Sequence, residues 1–264
     1  MANNPTPILI TGGTGTLGRR IVRRLADDDD TEVRVLSRRA APTQGDGARW
    51  ITGDLASDQG LDQALTGVDT VVHCAHVAGS SLGEVSAGAN VITAAARAGV
   101  RHFIYISIVG IDYVPLSYYK GKLAVEELIE ESGLPSTILR ATQFHELIDW
   151  LLGQPERLPV VPVPAGFWFQ PVAADEVAGR LVDIAREGPG GRAVDMGGPE
   201  VRSVESLATS YESIRGRSRP VKKIPFPGEV ARAFRSGANL AAGNADGRQT
   251  WEEYLSAAVE GPGE

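Results

Sequence analysis

The fold is decided near the start of the chain, by the stretch Thr11-Gly12-Gly13-Thr14-Gly15-Thr16-Leu17-Gly18. Within this stretch, Gly12, Gly15 and Gly18 have the spacing GxxGxxG. The apolar run Ile8-Leu9-Ile10 precedes the motif as a buried strand would, and apolar residues at helical spacing follow it. Glycines between a strand and a helix permit a tight turn, let the backbone approach a pyrophosphate, and let the helix pack on the sheet. We therefore predict a dinucleotide-binding loop here.

The rest of the first half alternates short apolar runs with helical patterns, which is typical of βαβ units around a parallel sheet. We predict an α/β fold: a Rossmann-type doubly wound parallel sheet with a small C-terminal substrate-binding region. Residues 1–145 form the predicted NAD(P)-binding core, and residues 146–264 form a substrate-facing region packed as part of the same domain. Strands are predicted at 8–10, 33–36, 68–72, 103–106, 136–139 and 192–196, and helices at 90–98, 118–131, 174–186, 204–214 and 251–259.

Composition narrows the class of protein. Hydrophobic residues make up 42% of the 264 residues and charged residues 22%, as in ordinary soluble proteins. The net charge of −7 disfavours nucleic acid or an anionic membrane as a partner. The single cysteine, Cys74, cannot form an internal disulfide, and the N-terminus lacks the pattern of a secretory signal, so we expect a cytoplasmic protein. The sequence is compatible with a monomer or a homodimer.

The choice of cofactor is expected at the end of the second strand, where an acidic residue would bind the ribose of NAD. Here the chain reads Ser37-Arg38-Arg39, with no acid. The planar guanidinium of Arg38 suits a 2′-phosphate, with Ser37 as a hydroxyl donor, so NADP(H) is predicted over NAD(H). Asp54 and Leu55 follow the third strand, where a carboxylate can accept from the adenine amino group. The alternatives are that Arg38 decorates a loop and that Asp54 belongs to a turn.

These residues resemble the short-chain dehydrogenase/reductase superfamily, in its atypical, NmrA-like NAD(P)H-binding branch. The likeness lies in the glycine motif, Arg38, 53–55, 98–107, 118–122 and 139–144, and continues thinly through 170–177 and 197–199. The resemblance implies a Rossmann sheet with a small C-terminal substrate region. The cofactor contacts that it implies are Gly12, Thr14, Gly15, Thr16, Leu17, Gly18, Arg38, Asp54, Ala75, Lys122 and Phe144. Because the branch resembles both reductases and cofactor-sensing regulators, it leaves the activity open.

Tyr118 and Lys122 form the candidate catalytic pair. They are four residues apart near the start of a predicted helix, so their side chains share one face. A nearby ammonium favours the phenolate form of tyrosine, and such a Tyr118 can exchange a proton with a carbonyl or alcohol oxygen. The resemblance implies that Lys122 holds the nicotinamide ribose. The alternative is a packed tyrosine beside a solvated lysine.

Ser107 is the candidate third member of the catalytic group, because reductases of this superfamily resemble one another in placing Ser or Thr just beyond the fifth strand. Ser107 lies at the end of that strand, and the following Ile108 and Val109 cannot hydrogen-bond through their side chains. Ser117 or His145 could substitute, although a helix cap or a satisfied loop side chain is the simpler reading of each. Without such a donor, hydride transfer to a quinone remains open, because less proton positioning is needed.

The segment His73-Cys74-Ala75-His76 is the densest cluster of metal-ligand residue types. It ends the fourth strand, where alternate side chains point to opposite faces and cannot close on one ion, so no metal site is predicted. His76 is expected to border the nicotinamide or the substrate.

Aromatic and leucine side chains are concentrated after the predicted core. They could wall a pocket for an apolar or aromatic substrate, or pack the small region onto the sheet. These residues are Trp150, Leu151, Leu152, Phe167, Trp168 and Phe169.

The leading hypothesis is an NADPH-dependent oxidoreductase that reduces a carbonyl or quinone of an apolar small molecule. Tyr118 is then the proton donor and Lys122 the ribose holder. One alternative is a redox sensor that binds NADP(H) without turnover and acts through a protein partner. Another is an epimerase or isomerase with tightly held NAD(P).

Overall fold

The computed structural model describes residues 6–28, 30–39, 47–77, 79–155, 157–241 and 243–261. The described residues form two compact units that alternate along the chain. The first unit takes its residues from Met1–Ser107, Ser117–Arg140 and Asp175–Val194, and the second from Ile108–Leu116, Ala141–Ala174 and Asp195–Glu264. The predicted division at residue 145 stays a prediction.

Eleven strands and nine α-helices occur in the described ranges, with one 3₁₀ turn at Leu55–Ser57. The strands are β1 (Thr6–Thr11), β2 (Thr31–Ser37), β3 (Arg49–Thr52), β4 (Thr70–His73), β5 (His102–Ile108), β6 (Ser136–Ala141), β7 (Val161–Pro164), β8 (Trp168–Phe169), β9 (Gly191–Arg192), β10 (Arg202–Ser203) and β11 (Val221–Ile224). The helices are α1 (Gly18–Ala26), α2 (Leu61–Leu65), α3 (Ser81–Ala98), α4 (Ser117–Ser132), α5 (His145–Gly153), α6 (Ala174–Glu187), α7 (Val204–Ile214), α8 (Glu229–Arg235) and α9 (Trp251–Glu260).

The first unit is built on a seven-stranded parallel sheet in the order β3-β2-β1-β4-β5-β6-β9. Ile10 at its centre pairs with Val35 on one side and Val72 on the other. All three side chains are buried, because a parallel sheet is covered on both faces and its strands read as continuous apolar runs. The chain crosses from one side of β1 to the other between β3 and β4, which is the switch point where Rossmann proteins bind nucleotides. The predicted α/β, Rossmann-type fold is confirmed.

The helix predicted at 90–98 is longer than expected. Helix α3 begins at Ser81, after a cap in which Ser80 Oγ accepts a hydrogen bond of 2.9 Å from the Gly83 amide. It ends at Ala98, and the following Gly99, with a φ of 71°, closes the helix as predicted. The first half of α3 is rich in small residues, so its sequence shows no clear helical periodicity of apolar side chains. Gly88 is needed there, because a Cβ would lie 2.7 Å from Val125 of the neighbouring helix α4.

The second unit has two small two-stranded sheets, β7 with β11 and β8 with β10. The strand predicted at 192–196 is wrong in extent: only Gly191 and Arg192 are strand, and they extend the large sheet of the first unit. Helix α9 ends the described chain and starts with a capping box between Thr250 and Glu253.

The aromatic segment divides into buried and exposed side chains. Phe167 stacks on Phe234 at 5.0 Å between ring centroids, and Phe169 lies 5.5 Å from the same ring. Both phenylalanines therefore pack inside the second unit. Trp150 and Leu151, in contrast, are exposed on α5.

Candidate functional site

A cleft of about 500 Å³ lies at the carboxyl ends of strands β1 to β4. Its walls come from the glycine loop, the ends of β2 and β3, the segment after β4, and the first turns of α3. The structure thus brings together side chains from segments far apart in the chain. The predicted cofactor residues that line it are Gly12, Thr14, Gly15, Ser37, Arg38, Asp54, Leu55, Ala75 and His76.

The glycine loop has the close approaches that its sequence predicts. Gly12 has a φ of 72°, and a Cβ there would lie 2.6 Å from the Ala75 amide nitrogen. The Gly15 amide donates to the Gly12 carbonyl at 2.9 Å, and a Cβ on Gly18 would collide with that carbonyl oxygen. Leu17 is buried in the core. Such a cradle fits a pyrophosphate at the start of α1.

The far end of the cleft carries two exposed cations, Arg38 and Arg39. Within the described part of the chain, neither guanidinium is paired with a carboxylate. Ser37 Oγ accepts the Arg39 amide at 3.0 Å, which shapes this loop. Asp54 Oδ1 accepts the Ala56 amide at 3.0 Å, so this residue does form a turn while lining the cleft. The electrostatics of this end fit a bound phosphate.

Buried hydrogen bonds hold the segment after β4. Thr11 Oγ1 lies 2.7 Å from His73 Nδ1 and 3.3 Å from the Ala75 amide, which donates to it. Burial lowers the pKa of His73 to about 3 and raises the pKa of Cys74 to about 12. A neutral imidazole and a neutral thiol therefore border the cleft at physiological pH. No three His, Cys, Asp or Glu side chains gather as metal ligands within the described ranges.

Lys122 is buried, with 4% of its side chain exposed. Its Nζ lies 3.3 Å from Glu84 Oε1, donates to the Ile106 carbonyl at 3.3 Å, and sits 4.6 Å from the centre of the Tyr105 ring. Burial lowers the pKa of Lys122, while the Glu84 carboxylate opposes that effect. The solvated lysine considered as an alternative is thereby excluded.

Tyr118 lies in the first turn of the same helix and is 39% exposed. Its ring meets His76, a residue of the cleft wall, edge to face at 6.2 Å between centroids. Burial and the Glu84 charge raise the pKa of Tyr118 above its ordinary value. The expected lowering by Lys122 is wrong in this structure, because the ammonium is paired with Glu84 instead.

Ser107, at the end of β5, is 3% exposed, and its Oγ makes no hydrogen bond to any described residue. Of the two substitutes, Ser117 begins α4 and donates to Ser81 Oγ at 3.5 Å, and His145 is buried in the second unit with Nε2 3.1 Å from the Gln249 carbonyl. Phe144 also belongs to the second unit, where its backbone bridges to Val172.

Sequence reasoning missed Glu84 and Tyr105. Glu84 is the only acidic residue of α3, and a lone carboxylate among small apolar residues was the available signal. Tyr105 lies inside an apolar strand and gives no sequence signal beyond its hydroxyl. Its contact with Lys122 depends on how α4 packs on β5, which local patterns do not report.

A parallel sheet of this strand order, with a glycine loop after β1 and a cleft at the switch point, defines a dinucleotide-binding Rossmann protein. Residues 12–184 match the family described as NAD(P)H-binding, and the chain belongs to that family. The family resemblance drawn from the sequence is confirmed, and an NAD(P)H cofactor with it.

Curated relatives of the chain include two reductases and an assembly factor. The (4-alkanoyl-5-oxo-2,5-dihydrofuran-3-yl)methyl phosphate reductase of Streptomyces griseus is 28% identical over 86% of this chain and 84% of its own length. The NAD(P)H azoreductase of Xenophilus azovorans is 27% identical over 90% and 84%. The photosystem II assembly factor Ycf39 of Cyanophora paradoxa is 35% identical over 56% of this chain, which spans 47% of that protein. At the level of class, the reductases support an NAD(P)H-dependent oxidoreductase.

Solved structures share the fold. A nucleoside-diphosphate-sugar epimerase from Staphylococcus aureus superposes with a TM-score of 0.78 at 18% identity, covering 96% of this chain and 100% of its own. An NADPH-dependent quinone oxidoreductase from Escherichia coli gives 0.74 at 20% identity, covering 94% and 98%. In the described ranges, no helix has an apolar stretch long enough to cross a membrane.

Proposed function

We propose that the protein is an NADPH-dependent oxidoreductase that reduces a carbonyl or quinone of an apolar, aromatic small molecule. The observation that carries this proposal is the position of Tyr118, whose ring contacts His76 of the cleft wall while Lys122 lies one helical turn further along α4. A weak acid beside a nicotinamide-binding cleft is the arrangement that carbonyl reduction requires. The azo and quinone relatives support conjugated, electron-poor acceptors as the substrate class.

Tyr118 supplies the proton in this proposal. Its raised pKa keeps the phenol protonated at neutral pH, so it can donate as negative charge develops on the substrate oxygen. Reduced nicotinamide, when bound, supplies the hydride. The donated proton is replaced from solvent, because the Tyr118 side chain is partly exposed. Lys122 holds the ribose in this proposal.

Replacing Tyr118 by phenylalanine is expected to lower kcat for an aromatic ketone about 100-fold or more, the usual contribution of a positioned general acid. The loss with a quinone should be smaller, since its reduced oxygen is the weaker base. NADPH affinity should stay within about twofold, because the hydroxyl is not needed for binding. The measurement follows loss of reduced-nicotinamide absorbance with a panel of ketones, quinones and azo compounds.

Tyr119→Phe is the matched control, because Tyr119 is the buried neighbour on the same helix. It should leave kcat unchanged. Full turnover by Tyr118→Phe with every acceptor would remove Tyr118 from the mechanism. Wild-type protein that binds NADPH yet reduces no member of the panel would contradict the proposed activity.

The preference for NADPH is expected to depend on Arg38. Arg38→Ala should weaken NADPH binding about 10-fold or more and leave NADH binding within about twofold, because only NADPH carries the 2′-phosphate and hydrogen bonds to charged groups contribute about 1.5–3 kcal/mol. Titration calorimetry with both nucleotides measures the ratio. Arg39→Ala, which removes the adjacent exposed cation, is the control and should change the ratio less. Equal losses of both nucleotides would contradict this role of Arg38.

A cofactor sensor is the second candidate function. The burial of Ser107 favours it, since a hydroxyl that is 3% exposed is not presented to a substrate oxygen. The similarity to an assembly factor is consistent with action through a protein partner. A sensor would bind NADP⁺ and NADPH with different affinities and reduce no acceptor in the panel. The epimerase alternative instead requires nucleotide that stays bound through purification.

A further inference from the structure

One buried carboxylate joins the cleft wall to the candidate catalytic helix. Glu84, in the first turn of α3, accepts the Val77 amide through Oε2 at 2.6 Å. Its other oxygen, Oε1, lies 3.3 Å from Lys122 Nζ. Val77 belongs to the segment after β4 that contains Ala75 and His76, and Glu84 itself lines the cleft. Both charged side chains are almost fully buried.

We propose that Glu84 is the positioning residue of this site, holding Lys122 as an oriented ammonium and fixing the segment after β4 with the same carboxylate. The inference rests on the proposed function for its catalytic meaning. Its physical content, a charge contact and a backbone hydrogen bond, does not depend on turnover. Two other groups contact the Lys122 ammonium: the Ile106 carbonyl and the Tyr105 ring.

The charges around Lys122 single out Glu84 as the dominant partner. Strand β4 contributes His73, and Cys74 follows that strand; both side chains are neutral at physiological pH because of burial. Strand β5 contributes Tyr105, whose ring lies against the ammonium and whose hydroxyl has a pKa raised by burial. On α4, Tyr118 also has a raised pKa.

Glu126, a second carboxylate near Lys122, is engaged elsewhere. It accepts hydrogen bonds from the Arg140 guanidinium at 2.9 and 2.7 Å and from Arg192 at 2.7 Å. Glu84 is therefore the carboxylate that opposes the effect of burial on the pKa of Lys122.

Lysine side-chain NMR tests the charge contact directly. The chain has four lysines, Lys120, Lys122, Lys222 and Lys223, so ¹³C-labelled lysine gives a short spectrum that Lys122→Arg assigns. In the cofactor-free wild-type protein, Lys122 should be charged at pH 7. Glu84→Gln keeps the shape and removes the charge. We expect it to raise the proton dissociation constant of Lys122 at least about tenfold, since opposite charges at this distance shift a pKa by about 1–3.

Glu127→Gln is the matched control. It changes the net charge by the same amount as Glu84→Gln, but it removes an exposed carboxylate of α4. It should leave the Lys122 midpoint unchanged. An unchanged midpoint in Glu84→Gln, an equal change in both variants, or a neutral Lys122 in the wild-type protein at pH 7 would each overturn the proposal.

Amide hydrogen exchange at Val77 tests the second contact. Glu84→Gln retains a carbonyl oxygen that can accept this amide, whereas Glu84→Ala retains none. Exchange should stay near the wild-type rate in the first variant and rise about tenfold or more in the second, because the hydrogen bond is lost. Equal exchange in all three proteins would overturn this half of the proposal. Should Glu84→Ala fail to fold, the wild-type and Glu84→Gln titrations still decide the charge contact.

The two proposals fail separately. If the wild-type protein reduces no acceptor, the NMR titration still reports whether Glu84 holds Lys122. In an active enzyme, Glu84→Gln should shift the pH profile of kcat in the same direction as it shifts the titration midpoint of Lys122. A loss of kcat with an unmoved profile would assign Glu84 a structural role only.

Discussion

Gly18→Ala is expected to weaken NADPH binding at least about 100-fold, which corresponds to about 2.7 kcal/mol. The physical reason is a collision: a Cβ at this position would overlap the Gly12 carbonyl oxygen, so the loop must open to accept it. The opened loop no longer presents its amides to a pyrophosphate at the start of α1. Titration calorimetry or nucleotide fluorescence measures the loss.

Gly179→Ala, on helix α6, is the matched control. A Cβ there meets nothing closer than 3.8 Å, so the substitution should leave binding unchanged and slightly favour the helix. Circular dichroism separates a binding defect from loss of fold. A folded Gly18→Ala protein with wild-type affinity for NADPH would contradict the role assigned to the loop.

Lys122→Met is expected to have the largest effect on stability, a loss of about 3–5 kcal/mol in the free energy of unfolding. Methionine fills much of the volume of the lysine stem, but Glu84 is left as a buried carboxylate without its cation, and an uncompensated buried charge costs about that amount. Turnover should be lost as well, since the proposed holder of the nicotinamide ribose is removed. Urea unfolding followed by fluorescence of the four tryptophans measures the first effect.

Two variants make this prediction specific. Lys120→Met, an exposed neighbour on α4, should change stability by less than about 0.5 kcal/mol. The double variant Glu84→Gln, Lys122→Met should regain a large part of the lost stability, because it leaves no unpaired charge. If Lys122→Met unfolds at the wild-type urea concentration, the ion pair with Glu84 is not formed in solution.

The first unit was predictable because its signals are local. Ile10 and Val35 belong to near-continuous apolar runs, which are typical of a strand covered on both faces. Prediction failed where the chain gives weak local signals. The first half of α3 is rich in Gly, Ser and Ala, and the two-residue strands of the second unit are too short to show a period.

The candidate site divides in the same way. Gly12 and Arg38 could be placed in the cleft from their positions after strands, because the carboxyl ends of parallel strands meet at one edge. The protonation of Tyr118 could not be predicted from the sequence. The sequence placed Lys122 one turn away and predicted a lowered pKa, whereas the folded protein directs that ammonium to Glu84.

The amino-acid sequence alone was sufficient for the fold class, the phosphate loop and the family, because glycine spacing and apolar runs are properties of neighbouring residues. Tertiary structure decided the electrostatics of the cleft. Glu84, Tyr105 and Lys122 come from separate elements and interact only when α3 and α4 pack beside β5. The strength of a buried charge contact depends on distance and on exclusion of water, and both are set by packing.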